Sequence, residues 1–584
     1  MRARALGSLA VGIFVFPILT ASQTQQPPAA PPRDRPVAEV PRGTGRIRGR
    51  VVAADGTTPL RRAQVRAVAA AIRTTRLTST DAEGRYEFVD LPAGRYDISV
   101  SKAGYVGLAF GQKRPFDGGR PMDVADAQIA DGVDFALPRG SVIAGRITDH
   151  TGDPIVGAHV QAMRYQYQTG GRRQLVASGG RSYFSNMTND LGEFRLFGLM
   201  PGTYVVSASG NSTGVVSLTQ SGPGTGGVTG IDTREGFIQT HFPGTANLAE
   251  AQPVSVTLAE EAEASFSLVT GRMSKVSGTV RRSDGRPLAA GLHVELRPND
   301  ESGAGRGGWG SSAVGSDGSF TFANVPPGAH VLEVAPGRQM FSAETAESGQ
   351  EFGRMPINVG GGDVTGLAIV TRPSATASGR VTFPSHMPKN PDGARVRIVA
   401  MPADPSRGSN NMWFLPNNGV LDENGRFQTH GVVGQVLFRP QSLPASFILK
   451  SVSLNGADIT DTPYDSTNGD VAGLEIVVAE QAQVTGLARN ASGQAVMDYK
   501  VALFPAREKA SLLTTRFMRV SSADPKGRFH LIGLPAGEYV GLAVESFEQG
   551  EEWDPAFQQR VLPSGRRFAL REGETLSVEL PYVE

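Results

Sequence analysis

The chain of 584 residues contains no cysteine, which excludes disulfides, thiolate metal sites and cysteine nucleophiles. Neither sign of charge is in excess, since 57 basic residues face 56 acidic ones, and this balance gives no electrostatic basis for binding nucleic acid. The eight histidines are scattered, and none of them forms an H-x-x-x-H pair of the kind that binds zinc. The sequence therefore predicts no metal site, no cofactor and no nucleic-acid partner.

Long apolar runs are also missing after the first 22 residues, so no membrane span is expected in the mature chain. At the N-terminus, two arginines precede an apolar run that ends in small residues, as in a secretory signal peptide. A membrane anchor is the alternative, but the run is short and contains a glycine and a proline. We predict a cleaved signal peptide over residues 1–22 and a disordered linker over residues 23–43, with export to the periplasm, the cell envelope or the medium.

Glycine, in contrast, is abundant, with 72 residues, and much of it stands in a repeated pair of turns. The stretch DAEGRYEFVDLPAGRY, residues 81–96, combines a turn, an alternating strand, a second turn and the start of another strand. It recurs four times, each time with an aromatic ring two residues after the glycine of the first turn. We assign a structural turn role to these first-turn glycines, which are Gly84, Gly192, Gly318, Gly425 and Gly527. Their spacing of 102 to 126 residues is long enough for each copy to bury a core of its own.

Each copy extends in both directions from this pair of turns. An opening strand of the form Gly-x-apolar and a second strand precede it, and an alternating strand closes the copy. We predict an all-β chain of five tandem β-sandwich domains, at residues 44–139, 140–271, 272–372, 373–481 and 482–584. Because the links between them are only a few residues long, we expect a semi-rigid and elongated arrangement.

The fourth copy diverges from the others. The proline of its second turn is missing, and it carries an additional alternating stretch over residues 447–454 that ends in Asn455-Gly456. Asn-Gly after such a stretch is a strong signal for a hairpin turn, so we predict an extra β-hairpin at this point.

These motifs resemble a known family. Gly-x-Val, a Gly-x-Pro turn, Asp-x-x-Gly-x-Phe/Tyr and Leu-Pro-x-Gly-x-Tyr, followed by Ser101-Lys102-Ala103-Gly104-Tyr105, are similar to the carboxypeptidase regulatory-like domain. The resemblance implies a transthyretin-like (prealbumin-like) Greek-key sandwich, akin to adhesin B-type domains and to the carbohydrate-binding-like fold. It implies an accessory role without catalytic residues, in bacterial chains that are secreted and often associated with the envelope.

Two short matches to catalytic or nucleotide-binding motifs are better explained by composition. Residues 210–214, GNSTG, fit the nucleophile-elbow pattern around Ser212, but a glycine- and serine-rich tract follows where the elbow requires a helix. Residues 222–227, GPGTGG, fit G-x-G-x-x-G, again without a following helix. We therefore predict that the chain is not an enzyme. A secreted hydrolase with a cryptic site stays open as the less favoured alternative.

Aromatic residues in the insertions that distinguish the copies are the best candidates for ligand binding. Their rings could stack on sugars, with polar neighbours for the hydroxyl groups. The candidates are Tyr165, Tyr167, Tyr183, Trp309, Trp413 and Phe414. The alternative is that these rings cover the core of their own domain or seal a junction between domains. The sequence thus predicts an exported binding or spacer module that binds glycan or an envelope protein, with a protein-interaction scaffold as the alternative.

Overall fold

The computed structural model describes residues 43–69, 74–112, 116, 119–168, 171–178, 186–210, 235–288, 291–299, 310–336, 351–384, 395–403, 418–506, 515–548 and 550–583. Nearly all regular structure within these ranges is β-strand, and the predicted all-β fold is confirmed. The strands fall into five groups along the chain, which we call the first to the fifth unit.

The first unit consists of two facing sheets. Its strands are β1 (Gly45–Ala53), β2 (Gln64–Ala69), β3 (Thr74–Ser79), β4 (Arg85–Leu91), β5 (Gly94–Ser101), β6 (Leu108–Ala109), β7 (Met122–Val124), β8 (Ile129–Ala130) and β9 (Phe135–Leu137). One sheet has β1 between β4 and the pair β8 and β9, and the other has the order β3-β2-β5 followed by β6 and β7. The opening strand β1 is antiparallel to β4 but parallel to the closing strand β9.

The second unit repeats this topology. Its strands are β10 (Ser141–Thr148), β11 (His159–Gln168), β12 (Arg172–Ser178), β13 (Glu193–Leu199), β14 (Gly202–Ser209), β15 (Glu235–Phe237), β16 (Thr240–His241), β17 (Val254–Val256), β18 (Glu261–Glu263), β19 (Phe266–Ser267) and β20 (Thr270–Arg272). The opening strand β10 again pairs antiparallel with β13 and parallel with β18 and β19, while β11 lies between β12 and β14.

The remaining units vary the same plan. The third contains β21 (Ser274–Arg282), β22 (Leu292–Pro298), β23 (Gly310–Ala313), β24 (Ser319–Val325), β25 (Gly328–Pro336), β26 (Glu351–Val359) and β27 (Val364–Pro373). The fourth contains β28 (Ala375–Thr382), β29 (Arg397–Pro402), β30 (Arg426–Val432), β31 (Gln435–Gln441), β32 (Phe447–Leu454), β33 (Ala457–Asp458), β34 (Tyr464–Asp465) and β35 (Val471–Glu480). The fifth contains β36 (Ala482–Arg489), β37 (Ala495–Val496), β38 (Lys500–Pro505), β39 (Arg519–Ser522), β40 (Arg528–Leu534), β41 (Gly537–Val544), helix α1 (Pro555–Val561), β42 (Arg566–Leu570) and β43 (Thr575–Val583). In the third and fifth units the two layers are joined into one sheet, through β26–β27 and β41–β43.

Each unit buries its own apolar interior. The described residues form five large clusters of buried side chains, which extend from Ile47 to Leu137, Ile143 to Leu268, Val276 to Ile369, Ala375 to Val478 and Ala482 to Leu580. The alternation of inward and outward side chains along the strands produces these clusters, because successive side chains of a strand point to opposite faces. Among the residues that the structure describes, no buried member of one of these five clusters comes from a second unit.

A glycine in every opening strand lets the closing segment approach closely. A Cβ atom on any of these glycines would lie within 2.7 Å of the closing segment's backbone, and the five are Gly49, Gly145, Gly278, Gly379 and Gly486. The sequence pattern is least regular in the fifth copy, yet the approach there is the tightest, at 1.8 Å to the carbonyl oxygen of Val578. Close backbone approach thus explains the Gly-x-apolar pattern.

The first turn has the same backbone in all five units. The φ angles of the first-turn glycines lie between 71° and 83°, in the region that side-chain-bearing residues rarely adopt. In the first unit, Oδ1 of Asp81 accepts hydrogen bonds from the backbone N–H of Glu83 and Arg85 at 3.0 and 2.7 Å. The third unit has Gly315 in the place of this Asp, and the side chain of Asp317 bonds Ser319 instead.

The second turn is fixed by a ring that reaches back to its beginning. The Oη atoms of Tyr96, Tyr204 and Tyr539 donate to the carbonyl four residues earlier, at 2.7 to 2.8 Å. In the third unit Nε2 of His330 lies 2.8 Å from the Pro326 carbonyl and therefore carries the proton, since a carbonyl only accepts. The fourth unit has Val436 at this place and lacks the bond, which matches its divergent second turn.

The two units that depart most from the repeat do so by insertion. In the fourth, β32 and β33 form the predicted hairpin, and Asn455 and Gly456 both have positive φ, at 52° and 79°. In the fifth, helix α1 covers the outer face of the sheet with Phe557 and Val561. This helix was not expected from the sequence, although Asp554 caps it before Pro555, the usual start signal.

The arrangement of the units differs from the elongated one that we predicted. The links are as short as expected, with β35 ending at Glu480 and β36 beginning at Ala482. Nevertheless the fifth unit contacts the first and the second, through Ser522 to Gly119 and through Glu548 to Arg164. The chain therefore folds back, and short links alone do not fix the angles between the units.

Candidate functional site

The β11–β12 hairpin of the second unit places two of the candidate aromatic residues side by side. Ala162 faces the core of the unit, whereas Met163 belongs to a small cluster on the outer face. By the alternation of the strand, Tyr165 and Tyr167 share that outer face with Met163. The hairpin thus presents two tyrosines two residues apart on one face.

The surroundings of these two rings are different. Tyr165 is 41% exposed, and the guanidinium of Arg173 from β12 lies 3.9 Å from the centre of its ring. Tyr167 is half-buried, and a Cβ atom on Gly550 of the fifth unit would lie 2.3 Å from its carbonyl oxygen. Tyr165 is therefore the more open of the two rings, while the backbone at Tyr167 meets the fifth unit.

Four of the six predicted candidates, Tyr183, Trp309, Trp413 and Phe414, lie outside the described residues. The same holds for Ser212 and the nucleophile-like stretch around it. The structure therefore brings together only Tyr165 and Tyr167 from the predicted set.

A buried arginine lies where the first, second and fifth units meet, and we call this place the three-unit junction. Arg164 of β11 is 8% exposed, and its Nη2 donates to Oε2 of Glu548 in the fifth unit at 2.9 Å. Its guanidinium lies 3.5 Å from the centre of the Phe116 ring, which comes from the first unit and packs against the core of the second. One side chain thus joins three units.

The electrostatics of the junction reflect its burial. Burial raises the pKa of the Tyr204 hydroxyl to about 12, while the positive charge of Arg164 opposes the rise. Tyr204 is therefore neutral at physiological pH and acts as the donor to Met200. The opposite charges of Arg164 and Glu548 suit the junction to holding the units together.

A second contact closes the first unit onto the fifth. The Ser522 hydroxyl donates to the carbonyl of Gly119 at 3.1 Å, and Ser522 is itself buried. Beside it, Arg120 forms an ion pair with Asp498. The segment that carries Phe116, Gly119 and Arg120 therefore contacts both the second and the fifth unit.

Two features of the sequence point to the junction, although neither was used in the predictions above. Arg164 follows Val160 and Ala162 at the spacing of core-facing residues, and a charge in such a series indicates a partner. Phe116 is an isolated large apolar residue in a polar stretch. Glu548 carries no comparable signal, because its pairing depends on a separation of 384 residues.

We expect Arg164→Met to loosen the fifth unit from the first two. The change removes the pair with Glu548 and the contact of the cation with Phe116, together worth roughly 2 kcal/mol for a largely desolvated arginine. Small-angle scattering of the full chain should show a larger radius of gyration. Arg560→Met, which removes a cation over Phe557 within the fifth unit alone, should leave the radius unchanged. Equal radii for both variants and the parent chain would contradict this role for Arg164.

Neither a metal centre nor a membrane span is found in the described ranges. Within them, no three acidic or histidine side chains converge in a way that could hold a metal ion. The helices of the same ranges are all too short or too polar to cross a bilayer.

Comparison with known proteins finds a family match within the first unit. Residues 46–137 match the carboxypeptidase regulatory-like domain family, which confirms the resemblance for this unit. No curated protein matches the sequence. Similar solved structures include a Streptococcal ancillary pilin, with 12% identity, 56% of this chain and 99% of that chain covered, and a TM-score of 0.20. BcpA, the major pilin subunit of Bacillus cereus, shows 9% identity over 76% of this chain and 99% of that chain, with a TM-score of 0.15. TM-scores this low carry no argument about the fold, which rests on the strand pairing described above.

Proposed function

We propose that the chain is an exported, non-catalytic, multidomain binding or spacer protein of the cell envelope or the extracellular space. We keep domain boundaries at residues 44–139, 140–271, 272–372, 373–481 and 482–584, after a signal peptide over residues 1–22 and a linker over residues 23–43. The observation that carries the proposal is the three-unit junction, because a buried arginine that ties separate cores together serves a fixed arrangement of modules. A fixed arrangement of the units holds the loops of those units in defined positions.

Carbohydrate is the ligand class that we propose for the aromatic residues of those loops. Tyr165 supports it, since an exposed ring on a paired hairpin beside Arg173 combines an apolar surface with a hydrogen-bond donor for sugar hydroxyls. Trp309 and Trp413 remain candidates by their sequence alone.

A protein-interaction scaffold is the second candidate function. The observation that favours it is the exposure of Val520 on β39 and Ile532 on β40, at 41% and 49%. These two strands follow one another in the fifth unit and pair with β38 and β36, respectively. Exposed apolar side chains on one unit suit a protein partner.

Glycan arrays with the full chain test the carbohydrate proposal. Tyr165→Ala, Trp309→Ala and Trp413→Ala are compared with Phe197→Ala, which removes a ring that is also 41% exposed in the second unit but is not a candidate. We expect at least one of the three to lower glycan affinity about tenfold, the loss of one stacked ring, while the control changes nothing. If all four variants bind like the parent chain, the rings do not stack on sugars. Hydrolase screening with Ser212→Ala as a control tests the enzyme alternative, and a serine-dependent activity would favour it.

A further inference from the structure

The hairpin that carries Tyr165 and Arg173 is firmly held in the second unit. Its strands, β11 and β12, are paired over seven consecutive positions. At the base of the hairpin, Met163 and Leu175, the residue opposite Tyr165, are buried in the small cluster on the outer face. A site on paired strands with a packed base keeps its geometry better than a site on a loop.

Arg173 and Tyr165 meet across the two strands. Arg173 lies opposite Tyr167 in the ladder, so its side chain reaches the ring of Tyr165 along the diagonal, and the guanidinium carbon lies 3.9 Å from the ring centre. In the part of the chain that the structure describes, no hydrogen bond or ion pair engages this guanidinium. The contact with the ring positions the cation and leaves its N–H donors for a ligand.

The sequence around the hairpin contains no carboxylate. Residues 154–189 include four arginines and neither Asp nor Glu, in a chain that has 56 acidic residues among 584. A counter-charge for Arg173 must therefore come from another segment of the chain or from a ligand.

The acidic residues of the segments that pack against the hairpin have other partners. One segment is Glu551–Trp553 of the fifth unit, which lies against β11, and the other contributes Leu248 and Ala251 to the outer cluster. The acidic side chains in and beside these segments each accept a hydrogen bond from a group other than Arg173, and they are Glu250, Glu548, Glu551, Glu552 and Asp554. The charge of Arg173 is thus left for a ligand.

Tyr165 offers apolar surface beside this charge. The side chain is 41% exposed even though Arg173 lies over its ring. An accessible ring next to a guanidinium with available donors suits a ligand that combines a carbohydrate body with a carboxylate, because the planar fork of arginine matches the two carboxylate oxygens.

We propose that this face of the hairpin binds carbohydrate that contains uronic acid. Two N–H groups of Arg173 donate to the sugar's carboxylate, and the sugar ring rests against the part of Tyr165 that the guanidinium leaves uncovered. The ion pair provides selectivity for the acidic sugar, whereas the ring contact is open to neutral sugars as well. This inference rests on the carbohydrate binding proposed above and adds the charge of the ligand to it.

Calorimetric titration of the full chain with tetragalacturonate and with its methyl ester tests the inference. The two ligands share one sugar chain and differ in whether the carboxyl groups carry charge. The variants are Arg173→Gln and Tyr165→Ala. The matched control is Arg195→Gln, since Arg195 is an exposed arginine of the same unit that already pairs with Glu261 at 3.1 Å.

We expect the parent chain to bind tetragalacturonate about tenfold or more tightly than the ester, the usual effect of one charge-assisted contact. Arg173→Gln should abolish this preference, and Arg195→Gln should keep it. Tyr165→Ala should weaken the binding of both ligands. A purely structural effect of Arg173→Gln on the ring would also weaken both ligands alike and leave the ratio of their affinities unchanged.

Equal affinity of the parent chain for the acid and the ester would overturn the inference, as would a preference for the acid that survives Arg173→Gln. If both ligands bind equally and Tyr165→Ala weakens both, carbohydrate binding at Tyr165 stands and only the selectivity for acidic sugar falls. Binding of neither ligand would also overturn the inference, and the glycan array then decides separately whether Tyr165 binds neutral sugars.

Discussion

Gly84→Ala is expected to unfold the first unit locally while Gly56→Ala leaves it intact. The two glycines have nearly the same φ, 77° and 75°, so an added methyl group costs about 1 kcal/mol of backbone strain at each. Only at Gly84 would the new Cβ atom also meet a backbone atom, the carbonyl oxygen of Val51, at 2.4 Å. We expect Gly84→Ala to lower the free energy of unfolding by about 3–5 kcal/mol in total, because the steric clash is relieved only if the first turn moves away from the opening strand.

Hydrogen exchange of the full chain measures this difference for each unit. Peptides from β1 and β4 should exchange much faster in Gly84→Ala, since the bond from the Val51 N–H to the Gly84 carbonyl, 2.7 Å in length, is lost with the turn. Peptides from the third and fourth units should keep their exchange rates. Gly56→Ala serves as the control, because it introduces the backbone strain without a steric clash. Equal exchange in both variants would show that contact with the opening strand does not stabilise the turn.

Arg282→Met is expected to destabilise the third unit by about 3 kcal/mol, the lower end for breaking a buried ion pair, since Arg282 itself is 17% exposed. Nη2 of Arg282 lies 3.1 Å from Oε1 of Glu351, a residue that is 1% exposed at the start of β26. In the described residues no hydrogen bond of good geometry reaches either carboxylate oxygen of Glu351. Without the arginine, a buried negative charge would have no counter-charge at the place where β26 pairs with β27.

The double variant Arg282→Met/Glu351→Leu separates this mechanism from simple loss of packing. We expect it to recover most of the stability, because replacing both partners removes the uncompensated charge. Asp284→Asn, which removes the other and more exposed partner of Arg282, should have a much smaller effect. Exchange rates in β21 and β26 report the outcome. A double variant no more stable than Arg282→Met would mean that the charge of Glu351 is not the cause.

Much of each unit could be predicted from the sequence because it depends on short-range rules. Strand alternation placed rings such as Tyr86 and Phe529 in the cores, and glycine marked the turns that need positive φ. The hairpin after β32 followed from Asn455-Gly456 in the same way. These features repeat with the unit, so five copies provide five independent instances of one pattern.

The junction could not be predicted, because it joins residues that are remote in the sequence and belong to different units. Phe116, Arg164 and Glu548 meet only through the angles between units, and no periodic pattern encodes those angles. Of the six aromatic candidates, only Tyr165 and Tyr167 fall on a described element, and pattern alone did not indicate that Arg173 would cover the face of one ring.

The return of the fifth unit to the first two has a consequence for biogenesis. The bond between Ser522 and Gly119 spans 403 positions, so it forms only after the last sandwich has been synthesised. Until then, the segment that carries Gly119 lacks its contact with the fifth unit and is open to proteases and chaperones. Polypeptides that terminate before the final module would keep that segment exposed, and protease sensitivity there would distinguish incomplete molecules from finished ones.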